Sequence, residues 1–79
     1  MSITMEAIAT KVRRRRLGLS DTQGQLLDLL SRGTQNKQLV RELGVTPAAV
    51  KARKRDLRLK LGAKNAFQTA VIAAKQGLV

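Results

Sequence analysis

Cysteine and histidine are both absent from this chain, which excludes disulfide staples, thiolate zinc sites and every catalytic arrangement built on a thiol or an imidazole. A metal site would have to be made of carboxylates alone. Only five acidic residues are present, on separate predicted helices and helix starts, so neither a paired-carboxylate site nor a nucleophile with its base can be assembled. No glycine loop follows a strand to cradle phosphate. An enzyme is therefore not expected, nor a cofactor, a metal ion or a small-molecule ligand. Phe67 is the one aromatic residue, so the stacking platforms that read single strands or RNA loops are missing. The longest uncharged apolar run falls well short of the roughly 18 residues a membrane span needs, and the first charges follow the first apolar residues instead of preceding them. Neither membrane insertion nor export is expected, and the simple inference is a cytoplasmic protein.

Positive charge is what the chain has in excess. Sixteen basic and five acidic side chains give a net charge of +11 in 79 residues, with a pI near 11.7. A polyanionic partner is the first implication, and a solvated face that keeps a small protein in solution is the plainer one. The charge is collected on two segments. Residues 47–64 hold seven basic residues and one acid, Asp56, and residues 1–18 hold five basic residues and one acid, Glu6. A domain of this size buries only roughly 60–65% of its chain surface, so its core has to be small or shared with a partner.

The apolar spacing is helical throughout, and no strand pattern occurs. Met1, Met5, Ile8 and Val12 form one helical stripe, so Ile3 to about Arg14 reads as a short amphipathic helix with poor caps, running into Arg13, Arg14, Arg15 and Arg16. Ser20-Asp21-Thr22-Gln23 is a capping box that opens a helix carrying Leu26, Leu27, Leu29 and Leu30 and stopping before Gly33. A second helix runs from about Gln35 to Leu43, with Leu39, Val40 and Leu43 inward and Gly44 as its left-handed stop. Thr46 and Pro47 then suit the N-cap and first position of a third helix, which ends at Gly62. Asn65-Ala66-Phe67-Gln68 reads as a further capping box, opening a last helix that holds Phe67, Ala70, Val71 and Ala74 inward and ends at Gly77. The expected architecture is all-α: a four-helix domain over residues 19–79, preceded by residues 1–18 as a basic arm or short helix.

Two helices joined by the short turn at Gly44 to Thr46 form the helix-turn-helix element that DNA readers place in the major groove. On the second of them Lys51, Arg55 and Arg58 are spaced four and three apart, one stripe, while Val50, Leu57 and Leu61 form another beside it. One stripe suits a core and the other suits DNA, with Arg58 and Lys60 far enough along for phosphate contact. Arg53 and Lys54 add to the same basic helix and are further candidates for phosphate contact.

From Leu19 to Val79 the chain resembles the LuxR-type DNA-binding domain, also called the GerE family. The resemblance is carried by Leu19-Ser20, Leu26-Leu27-Asp28-Leu29-Leu30, Gly33, Asn36-Lys37, Leu43 with Val45-Thr46, Val50-Lys51, Lys60-Leu61-Gly62 and Gly77-Leu78. It implies a helix-turn-helix regulator of transcription whose third helix enters the major groove. Lys51, Ala52 and Arg55 then take the positions that face base edges, and Asn36, Lys37 and Thr46 lie near those that touch phosphates. The chain departs from the family pattern at Gln23, Ala49, Arg53, Lys54 and Ala66, and at 79 residues it resembles the stand-alone members.

The resemblance also implies pairing of two copies through the last helix. The contact residues expected there are Phe67, Thr69, Ile72 and Ala73, with Ile72 on a different face from the inward set. Duplex DNA and a second copy are thus the expected partners, with RNA polymerase or a larger regulator of the same type as further ones. The alternative reading is an interaction protein that pairs with such a regulator and modulates it. Arg13 to Arg16 remain open between phosphate or minor-groove contact and plain solvation of a terminus.

Overall fold

Five helices form among residues 4–79, the residues that the computed structural model describes: α1 (Met5–Arg16), α2 (Asp21–Ser31), α3 (Asn36–Leu43), α4 (Pro47–Lys60) and α5 (Ala66–Lys75). No strand occurs among the described residues, and none of their helices is long and apolar enough to cross a membrane. The helix starts follow the local chemistry. Ser20 Oγ accepts from the Gln23 amide at 3.1 Å while Gln23 Oε1 accepts from the Ser20 amide at 2.9 Å, so two amides that an α-helix leaves unpaired are satisfied reciprocally at α2. Thr46 caps α4 by accepting from Ala49 at 3.1 Å, with Pro47 at the position where a missing N–H costs nothing. Asn65 caps α5 in the same way, but the expected box is incomplete: the Gln68 side chain reaches one residue further back and accepts from the Lys64 amide instead. α3 has no side-chain cap and is held by packing, with Leu39 fully buried.

α2 is the hub, packing against α3, α4 and α5, while α4 also packs on α3 and α5. The core consists of Leu19, Leu26, Leu27, Leu39, Val50, Leu57, Ala73 and Leu78, flanked by half-buried Leu29, Leu30, Val40, Leu43, Val45 and Leu61. Six of the eight are leucines, and each fully buried leucine contributes about 1.5–3 kcal/mol relative to exposure. Thr69 is the one buried polar side chain of the core, and its hydroxyl donates to the Asn65 carbonyl at 2.9 Å.

One expectation about packing is overturned, on α5. On α5 the inward residues are Thr69 and Ala73, four apart, whereas Phe67 is 79% exposed and Ala74 is exposed too. Helical spacing gives two stripes on this helix, and the one made of small residues is the one that approaches α2 and α4 closely. The first segment is helical, as its spacing suggested. α1 is formed through Arg16, and its start is capped by Thr4, whose hydroxyl accepts from Ala7 at 3.2 Å. Ile3, where that helix was expected to begin, and Met1 of its stripe lie outside the described residues. Met5, Ile8 and Val12 face solvent, at 80%, 45% and 41% exposure, so the stripe is an outward one.

Candidate nucleic-acid interface

The turn between α3 and α4 is three residues long, and Gly44 makes it feasible. Its φ of 63° and ψ of 36° lie in the left-handed region, where a Cβ is strained, and its amide closes α3 on the Val40 carbonyl. A second tie crosses the motif: Lys54 Nζ donates to Asn36 Oδ1 at 3.1 Å. The two helices therefore present a fixed surface.

α4 turns Val50 and Leu57 into the core. The opposite side holds Ala48, Ala52, Arg55 and Leu59, spaced four, three and four, with Lys51 beside Arg55. Lys51 and Arg55 are exposed and make no hydrogen bond or ion pair within the described residues, and Ala52 between them is half-buried. Two alanines leave no bulk between the backbone and whatever the stripe meets, and an arginine fork there matches the two acceptors of a guanine edge. Ala48 and Leu59, the latter 61% exposed, were not anticipated on this stripe, although their spacing from Arg55 gives them away.

The expected phosphate contacts fall into two groups. Asn36, Lys37 and Thr46 are exposed around the start of the motif. Asn36 keeps its amide donors because only its oxygen is used by Lys54, and the Thr46 hydroxyl, used as an acceptor, keeps its hydrogen. Further along α4, Arg58 is half-buried and donates to the Ala63 carbonyl at 3.3 Å, closing the helix end, while Lys60 Nζ donates to the Gly18 carbonyl. Both carry spare donors but are held by the protein first. Arg53 is half-buried and lines a hollow with Asp56 and Lys60 against Gly18, Ser20 and Thr22.

The four arginines read as one basic arm are split by the structure. Arg14 Nε donates to the Leu78 carbonyl and its Nη2 to Asp28 Oδ1, each at 2.6 Å, and Arg13 Nη1 donates to the Gly77 carbonyl at 3.3 Å. Arg14–Asp28 is the ion pair found among the described residues. Only Arg15 and Arg16 point freely outward. The signal that could have shown this is Gly24, a glycine in the middle of α2, where it costs helix stability. Gly24 is buried, and a Cβ on it would lie 2.9 Å from Arg14 Nη1 and 3.2 Å from its Cδ. The glycine leaves room for the arginine.

The residues expected to pair two copies are also divided. Thr69 and Ala73 are inside the protomer and offer nothing to a partner, and Ile72 is half-buried. Phe67 and Ala74 stand out from α5, while Ala70 and Val71 of the same stripe are half-buried.

A family model described as bacterial regulatory proteins, luxR family (GerE), matches residues 17–73. No curated protein and no solved structure matches the chain. The matched span holds α2 to α4 and most of α5, and leaves α1 outside.

Proposed function

The chain belongs to the luxR family of bacterial regulatory proteins, a family of DNA-binding helix-turn-helix regulators, and from that premise we propose that it reads a specific duplex sequence in the cytoplasm as a homodimer. The observation that carries this reading is the outward stripe of α4, where Lys51 and Arg55 have no partner among the described residues, on a helix otherwise fixed by its core face and by the Lys54–Asn36 bond. Arg55 and Lys51 address guanine acceptors on the floor of the major groove, and Ala52 sits against a base between them. Asn36, Lys37 and Thr46 hold the phosphates on one side, and Arg53, Lys54 and the spare donors of Arg58 and Lys60 attract those further along. Arg15 and Arg16 add charge to the same field.

Two copies meet in this reading through the exposed part of α5, with Phe67 near its start and Ala74 about two turns on, and half-buried Ala70 and Val71 between them allowing close approach. Selection of bound sequences from random duplex DNA tests the first part, and a site made of two inverted half-sites about 34 Å apart is the expected product. Phe67→Asp tests the second. Because Phe67 is exposed, helicity should persist while sedimentation shifts to monomer, and binding should weaken far more on two half-sites than on one. A dimeric Phe67→Asp protein removes α5 as the interface, and selection of no consensus removes the sequence-reading role.

A further inference from the structure

α1 lies outside the span matched to the family and makes no use of its apolar side in the fold. Its attachment is polar: Arg13 and Arg14 are bonded to the Gly77 and Leu78 carbonyls and to Asp28, all from one side of the helix. On the other side stand Met5, Ile8 and Val12, exposed and spaced three and four apart. That alternation is a heptad spacing, with Met5 and Val12 at a and Ile8 at d, and it makes the narrow seam along which a second helix lies. Arg13 and Arg14 then fall at b and c, turned away from the seam. The helix is thus pinned by its back with its apolar front free from Met5 to Val12, about 11 Å, and Arg15 takes the next d position.

The edges of the seam select the occupant. In this register Lys11 occupies g and Arg16 the following e, the two positions that face each other across a parallel pair of identical helices. Self-pairing through α1 would set Lys11 against Arg16 of the second copy, two cations, and an antiparallel pair again finds no opposite charge, because the e and g positions of Met5–Arg16 hold only Ala9, Lys11 and Arg16. Opposite charges at those positions attract and like charges exclude, so a second copy is rejected and an acidic edge is favoured. We propose that α1 is a docking helix for another protein, one that supplies a helix with an apolar heptad seam edged by Asp or Glu. The proposal stands apart from the reading of DNA by α4 and does not depend on it.

The test uses the full chain and a synthetic heptad peptide with leucine at a and d and glutamate at e and g, followed by fluorescence anisotropy. A lysine-edged peptide and a scrambled peptide of the glutamate-edged composition serve as controls. The glutamate-edged peptide should bind and the other two should not. Ile8→Asp should weaken that binding about tenfold or more while leaving circular dichroism and DNA affinity unchanged, since Ile8 is solvent-exposed. Lys11→Glu with Arg16→Glu should transfer the preference to the lysine-edged peptide. Equal binding of the scrambled peptide would reduce the effect to general attraction by a basic protein and overturn the proposal. So would an Ile8→Asp protein that binds as before, one that loses a dimer seen by sedimentation for the parent chain, or one that loses binding to anionic vesicles that the parent possesses.

Discussion

α1 and α4 are both basic helices, but their cations do different work. On α4, Lys51 and Arg55 have no partner among the described residues, and Val50 and Leu57 on the same helix turn inward. On α1 the arrangement is reversed: Arg13 and Arg14 turn inward to carbonyls and a carboxylate while Met5, Ile8 and Val12 turn out. A count of charges ranks the two segments as similar candidates for DNA. Hydrogen bonding separates them, because a guanidinium already committed to two acceptors contributes to stability, and one without acceptors is available to a polyanion.

The sharpest way to break this contrast is Arg14→Ala. Two charge-assisted bonds are lost and the Leu78 carbonyl and Asp28 are left without their donor, a destabilisation of about 2–4 kcal/mol. In a domain of this size that lowers the thermal midpoint by more than about 10 °C, measurable by circular dichroism, while the DNA affinity of the folded protein stays the same. A variant that melted like the parent but bound DNA less tightly would erase the distinction between the helices. Arg55→Ala should do the converse: about 1–3 kcal/mol is lost from binding to the preferred site and discrimination relaxes at one or two base pairs. Its melting midpoint should not move. Equal loss on specific and random DNA in competition assays would withdraw the base-reading role. The smallest effect is expected from Gly24→Ala. Glycine to alanine inside a helix ordinarily stabilises by about 1 kcal/mol, but here the new Cβ meets a side chain fixed at both ends and the sign reverses. Combined with Arg14→Ala, the same substitution should become stabilising, and a double-mutant cycle reads that change directly.

The parts of this molecule that were legible in its sequence are those set by near neighbours. The Ser20-Gln23 box, the Gly44 turn, the Thr46-Pro47 start and the inward placement of Val50 and Leu57 each depend on residues within about one or two turns. The phase of α5 was not legible, because periodicity gives a stripe but not its direction, and Thr69 with Ala73 forms as regular a stripe as Phe67 with Ala70 and Ala74. The division of Arg13 to Arg16 was hidden for another reason: the acceptors of Arg13 and of the Arg14 Nε lie 64 positions away. Only Gly24 hinted at it.

That separation in sequence also orders events in time. The acceptors at Gly77 and Leu78 are presented only after α5 has formed and stopped, so the loop closed by the α1 pins spans nearly the whole chain and is the costliest in entropy to close. Docking of α1 is accordingly expected late in folding and its release early in opening, with the bonds of Arg13 and Arg14 to Gly77 and Leu78 absent from the transition state. In native-state hydrogen exchange the amides of α1 would exchange ahead of those of α2 and α4, through an opening that leaves the helix-turn-helix closed.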